Sequence, residues 1–198
     1  ISNHSSGKQG YAIAEAAIEA GARVTLISGP TNLSVPSRVE IINIESAEEM
    51  LEKTLNLIET MDIFISVAAV ADFKVETPAP SKIKKTGDPN LNLVLSRTPD
   101  ILLEISKLNR RDLFTVGFAA ETENLIGNAK KKLNEKSLNL IVANNIGDPE
   151  IGFDSDLNEV TVLGHHLCEK FPKSSKKNLA RKLVAFIAKE LRESEIYG

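Results

Sequence analysis

The chain has 198 residues, with 24 Lys and Arg against 27 Asp and Glu, a formal net charge of −3. That length suits one α/β domain, or two small ones, with a sizeable core, and a mildly acidic chain is a poor general ligand for nucleic-acid phosphate. A single cysteine, Cys168, excludes a disulfide framework and a cysteine-based zinc cluster. No apolar run is long enough to span a bilayer and the polar start carries no signal peptide, so a cytoplasmic protein with no membrane partner is expected. The chain starts at Ile1 and not at Met, and reads as a piece of a longer polypeptide.

Strand and helix patterns alternate along the chain. Over 8–20, Tyr11, Ile13, Ala16, Ala17 and Ala20 mark a helical face, and Gly21 stops it. Residues 23–28 form a strand that Gly29-Pro30 breaks, and 39–44 is a second short strand. Ser46 and Glu49 make a capping box for a helix to about Thr60. The apolar run 62–69 suits a central parallel strand. A long polar stretch, 72–90, holds Pro78, Pro80, Pro89 and Gly87 with Lys82, Lys84 and Lys85; a connection of that length is usually functional or mobile. Residues 91–95 alternate as a strand. Thr98 is expected to cap a helix with Pro99 at its first position, ending near Leu108. Then follow a strand at 113–118, a helix at 123–136, a strand at 138–143 and a loop at 147–156. A last, edge strand is expected at 159–163. A C-terminal helix from Ser174 or Ser175 carries Leu179, Leu183, Ile187 and Leu191 at i, i+4 spacing.

Such alternation implies a mostly parallel sheet with helices on both faces. Ligands bind such sheets beyond the carboxyl ends of the strands. Attention therefore falls on 28–30, 68–73, 118–122 and 143–146. Familiar fingerprints are missing there. Gly-x-Gly-x-x-Gly, the Walker pattern, Gly-x-Ser-x-Gly and Tyr-x-x-x-Lys do not occur, which counts against a dinucleotide-dependent oxidoreductase. His165 and His166 are adjacent, a poor metal pair that suits a turn, and Cys168 reads as inert.

Four segments remain. Asn3-His4-Ser5-Ser6-Gly7-Lys8 precedes a helix and suits either an anion at its N-terminus or simply a well-capped start. Ala68-Ala69-Val70-Ala71-Asp72-Phe73 leaves room at a strand end, or packs tightly there. Lys82-Ile83-Lys84-Lys85 suits a polyphosphate or a solvated loop. Gly117-Phe118-Ala119-Ala120-Glu121-Thr122 leads to a helix with Lys132 and Lys136 on one face.

In this order and spacing the segments ISNHSSGK, AAVADF, KIKK, TPDIL, GFAAET, IVANN and GFDSDLN resemble phosphopantothenoylcysteine synthetase, also called phosphopantothenate–cysteine ligase. The likeness is to the C-terminal half of the bifunctional bacterial coenzyme A biosynthesis protein. It implies a single Rossmann-like ligase domain over 1–198, with a flap near 72–90, whose family-typical first strand is absent from this chain and leaves a gap in the sheet. It implies CTP, 4′-phosphopantothenate and L-cysteine as substrates and an acyl-cytidylate intermediate. It also implies Mg²⁺ or Mn²⁺, a homodimer, and an N-terminal decarboxylase domain that alone holds FMN. A dimer surface at 77–80 or 152–163 is one expectation.

The resemblance assigns roles residue by residue. Asn3 processes the acyl-nucleotide, and Lys82 screens the triphosphate during transfer. Ser5, Ser6 and Gly7 lie along the phosphates. Asp72 helps hold nucleotide and cation. Ala69, Pro99, Asp100 and Ile101 line the cytosine with backbone groups. Phe118 packs on the nucleotide, and Lys132 and Lys136 reach its polar groups. Asn144, Asn145 and Phe153-Asp154-Ser155-Asp156 match family motifs that touch substrate or shape the dimer. A non-catalytic nucleotide-binding module would keep the same residues.

Overall fold

The structure is a computed structural model that describes residues 5–79, 81–84, 90–121, 123–145 and 155–197. Asn3, Lys85, Thr122, Ile146, Phe153 and Asp154 lie outside the described residues.

Helix α1 (Lys8–Glu19) leads into β1 (Thr25–Ser28), which pairs in parallel with β2 (Glu40–Asn43). Helix α2 (Ala47–Ile58) starts at Ser46, whose Oγ accepts the Glu49 amide at 3.2 Å. The Glu49 carboxylate reaches back to the amide of Glu45, one residue beyond the expected reciprocal bond.

The main sheet has five strands. Strand β3 (Ile63–Ser66) pairs in parallel with β6 (Phe114–Glu121), and β6 with β7 (Leu140–Asn145). Strand β8 (Leu157–Leu163) then joins β7 antiparallel, and β9 (Cys168–Ser175) closes the order β3-β6-β7-β8-β9. The predicted ligand crest therefore belongs to the parallel part. Residues 159–163 are not an edge: Val160, Val162 and Leu163 are at most 1% exposed between β7 and β9. That removes β8 as a free dimer surface. His165 and His166 occupy the β8–β9 turn, closed by the Gly164 amide on the Leu167 carbonyl.

Helix α4 (Leu125–Glu135) and helix α5 (Lys176–Tyr197) cover the sheet. Leu179, Leu183 and Ile187 of α5 pack with Phe114, Val116, Leu140, Val142, Val160 and Val162. Ala129 and Leu133 of α4 pack with Ala119, Leu138, Ile141, Ala143 and Leu163. Each helix presents an i, i+4 apolar stripe to a dry surface.

Strands β1 and β3 share covering helices but are not paired with each other. Helix α1 joins Tyr11 Oη to Ser28 Oγ at 3.2 Å, and its Ala12 and Ile13 pack near Ile65 and Val67. Helix α2 packs on β1, and Met50, Leu51 and Ile58 lie with Phe64. Strand β3, expected to be central, is thus the terminal strand of the main sheet, and every residue of it is only half-buried. No helix among the described residues is long and apolar enough to cross a membrane.

Candidate active site at the crest of the parallel strands

Two segments are clipped together where β3 ends. Inside the polar stretch 72–90 a short strand, β4 (Phe73–Val75), pairs antiparallel with β5 (Leu95–Arg97). The stretch is thus not all loop, and the strand expected at 91–95 is displaced to 95–97, sharing only Leu95. The ribbon brings Thr98 against residues 71–72. Its amide donates to the Asp72 carbonyl at 3.0 Å, and its hydroxyl to the Ala71 carbonyl. Ala69 and the exposed Asp72 therefore lie on the same crest as Pro99 and Asp100.

Helix α3 (Ile101–Ser106) begins two residues later than expected. Asp100, not Thr98, is its N-cap, and accepts the Leu103 amide at 3.2 Å. Thr98 is already used by the clip, and an aspartate is as good a cap. The Ile101 side chain enters the core with Ile58, Ile105 and Leu113, so only its backbone can face a ligand.

Strand β6 runs three residues past Phe118. The Gly-Phe-Ala-Ala-Glu segment is strand, and Glu121 is its last residue. Gly117 is required by packing: a Cβ there would meet Leu138 at 2.7 Å and Leu102 at 3.2 Å. Phe118 is half-buried against Ala12, Ile13 and Ala16 of α1, which limits it to a partial ligand wall.

The two lysines that the resemblance assigns to the nucleotide, Lys132 in α4 and Lys136 at its C-cap, are both paired. Lys132 Nζ lies 2.7 Å from Glu121, and Lys136 Nζ lies 2.9 Å from Asp100. Glu121 also accepts from Asn128 at 3.0 Å. Sequence reasoning gave Glu121 and Asn128 no role. Their signal was the row Asn128, Lys132, Lys136 at i, i+4 spacing, polar where a surface helix carries an ordinary charge mixture.

The start of α1 faces the same end of the sheet. Gly10 sits against Val67, the residue after β3, at a distance of 3.8 Å for a built Cβ. Gly7 is the N-cap at φ +73°, a left-handed conformation suited to glycine, and as a glycine it brings no side-chain cap of its own. The Ser6 carbonyl accepts from Thr31 Oγ1 at 3.4 Å, and Thr31 and Leu33 flank Gly7. The first amides of α1 have no intrahelical partners and carry the positive end of its dipole. Ser5 is exposed. Lys8 Nζ is held 2.7 Å from Asp156, and that ammonium keeps the Asp156 carboxyl below its ordinary value, by hydrogen bond first and charge second. Lys82 is exposed in an irregular segment, and no hydrogen bond or ion pair links it to the crest among the described residues.

The family model described as "DNA/pantothenate metabolism flavoprotein C-terminal domain" matches residues 1–191. The chain belongs to this family. It is 45% identical over 184 residues to the coenzyme A biosynthesis bifunctional protein CoaBC of Haemophilus influenzae, covering 93% of this chain and 46% of that protein. It is 43% identical over 192 residues to CoaBC of Bacillus subtilis, covering 95% and 46%. The chain thus spans about half the length of these curated relatives. The crystal structure of a CoaBC C-terminal domain superposes with a TM-score of 0.81 at 36% identity, over 96% of this chain and 86% of that one. A Cab2 mutant in complex with phosphopantothenate-cysteine shares the fold at 15% identity, with a TM-score of 0.74 over 98% of this chain and 82% of its own. The Rossmann-like reading of the sheet is therefore correct.

Proposed function

We propose that this domain joins 4′-phosphopantothenate to L-cysteine in coenzyme A biosynthesis, using CTP and an acyl-cytidylate intermediate. The observation that carries the proposal is the Thr98 clip. It unites residues 69–72 with 99–101, two segments that the resemblance assigns to one nucleotide. The names of the CoaBC relatives support it, as does the ligand of the Cab2 neighbour.

The chemistry follows from charge. A carboxylate is a poor electrophile, so the phosphopantothenate carboxylate first attacks the α-phosphate of CTP and pyrophosphate leaves. The amine of cysteine then attacks the acyl carbon, and CMP leaves. The first step brings two anions together, and fixed positive groups must screen them. Lys82 takes that task. The amides at the start of α1 receive phosphate oxygens. The Asn3 amide donates to the acyl carbonyl in the second step. Backbone groups around Ala69, Pro99 and Ile101 answer the amino donor and carbonyl acceptor of cytosine.

A divalent cation, Mg²⁺ or Mn²⁺, fits the donors modestly. Asp72 is an exposed carboxylate on the crest, and among the described residues no three acidic, His or Cys side chains gather around one point. That suits a Mg²⁺-type ion held by substrate phosphates, water and one carboxylate. When bound, it would supply charge neutralisation at the phosphates. The homodimer fits the β4–β5 ribbon, where Phe73, Leu93, Val94 and Leu95 are 42–67% exposed; isolated two-stranded ribbons are marginal in water. In a bifunctional polypeptide, FMN would belong to the decarboxylase domain.

The test mixes the protein with 4′-phosphopantothenate, cysteine, Mg²⁺ and either CTP or ATP. Pyrophosphate released with CTP is expected. Its absence with both nucleotides overturns the ligase reading. Asn3→Asp is expected to let acyl-cytidylate accumulate, seen as pyrophosphate release without CMP.

A further inference from the structure

We propose that Glu121 is a positioning residue that holds Lys132 ready for the nucleotide; this rests on the ligase reading above. The Glu121 side chain is only 13% exposed, at the carboxyl end of β6. Both of its oxygens are used. One accepts from Lys132 Nζ at 2.7 Å, the other from Asn128 Nδ2 at 3.0 Å. Asn128 is itself fixed: Nδ2 also donates to the Glu123 carbonyl at 3.1 Å, and its amide bonds to the Asn124 carbonyl at 3.0 Å. The carboxylate therefore cannot swing without breaking a network of three segments.

Lys132 differs from its neighbour on the same helix. Lys131 is 73% exposed and sits 3.7 Å from Glu135, an ordinary surface pair. Lys132 is 43% exposed and tied to a nearly buried partner. An ammonium has three donors, so the bond to Glu121 leaves donors for a ligand. A free lysine would lose much rotamer freedom on binding. Tethering it in advance removes part of that cost. The pair is also electrically neutral, so Lys132 acts as a directed donor and not as a long-range attractor of triphosphate.

Positioning and simple charge balance predict opposite signs. If Glu121 only offsets charge, its removal makes the crest more positive and tightens a triphosphate. If it positions Lys132, its removal weakens binding. The measurement is KM for CTP and kcat, from pyrophosphate release by the complete gene product, with melting temperatures alongside. Glu121→Gln is expected to raise KM about tenfold, the value of one lost charge-assisted contact, with kcat within about twofold. In a Lys132→Met background the same change is expected to add less than about twofold, because the two residues act as one unit. Asn128→Ala keeps every charge but frees one carboxylate oxygen, and should raise KM by about threefold. If Glu121→Gln does not fold, Asn128→Ala decides alone.

A KM that stays or falls in Glu121→Gln, or rises equally in the Lys132→Met background, overturns the inference while leaving the ligase reading intact. An unchanged KM in Asn128→Ala does the same. Wild-type protein that releases no pyrophosphate with CTP overturns both.

Discussion

The five-stranded sheet with α4 and α5 and the two small ribbons, β1–β2 and β4–β5, are held by different forces. In the sheet, Val116, Val142, Val162, Leu179 and Leu183 have no exposed surface at all. The ribbons bury little, and β4 and β5 have residues that are mostly exposed. Their positions depend on a few directed bonds: the Thr98 clip, Tyr11 to Ser28, and the Lys74–Glu48 ion pair. The dry half is a scaffold. The wet half carries the residues that the resemblance assigns to substrate. Stability and chemistry are therefore separable in this domain, and substitutions should divide the same way.

The largest effect tests the scaffold. Leu183→Ala empties a fully buried site between α5 and the sheet, and should cost about 2–5 kcal/mol. Chemical denaturation measures it. A loss below about 1 kcal/mol would mean that α5 is not part of the central core. On the other side, Lys82→Gln should lower the rate of acyl-cytidylate formation by about 10²–10³-fold, on the scale of one lost transition-state contact. Its melting temperature should match the parent, since Lys82 is exposed. A wild-type rate would remove the loop lysine from the mechanism.

The third substitution joins the two halves. Thr98→Val removes the hydroxyl bond to Ala71 but keeps the amide bond to Asp72. One net hydrogen bond is worth about 1 kcal/mol, so a fall of roughly 2–4 °C in Tm is expected for a chain this size. On the proposed function, KM for CTP should rise with it, because the clip aligns the two segments that the resemblance assigns to the nucleotide. A fall in Tm with no change in KM would confine the clip to stability.

The same division explains what could be read without coordinates. Strands β3, β6 and β7 are apolar runs because both faces are covered, and all three are visible in sequence. Strand β9 is not. Its sequence, Cys-Glu-Lys-Phe-Pro-Lys-Ser-Ser, has charges and a proline, the dress of an edge strand. Only Phe171 points to its place, packing edge-on against Phe186 of α5 with centroids 5.6 Å apart. Strand β4 is three residues long and pairs with a partner about twenty residues away, which no local period reports. At the site, residue types and motif order were legible. Contacts were not: Lys132 and Lys136 read as free cations, yet each has a carboxylate partner from a different element. Such pairs are set by the packing of α4 on the sheet, which the motif itself does not encode.

The smallest effect concerns pH, where the helix start meets the scaffold. Asp156, at the entry to β8, is held below its ordinary carboxyl value by Lys8, the first residue of α1. A carboxyl lowered by folding contributes stability above its unfolded value, about pH 3.9, and loses it as pH falls through the folded value. Asp156→Asn should therefore be slightly less stable than the parent at pH 7. As the pH falls through the lowered folded value the two should converge, because the parent carboxylate is then protonated as well. Melting curves at pH 7 and along an acid series check this. The pair is open to solvent, so added salt should shrink the difference at neutral pH. A gap that persists unchanged at low pH would show that the difference does not come from the charge of the Asp156 carboxylate, since the Asn variant keeps the backbone bond from the Lys176 amide to its carbonyl at 2.9 Å. The Lys8–Asp156 ion pair would then be incidental to how the start of α1 is held.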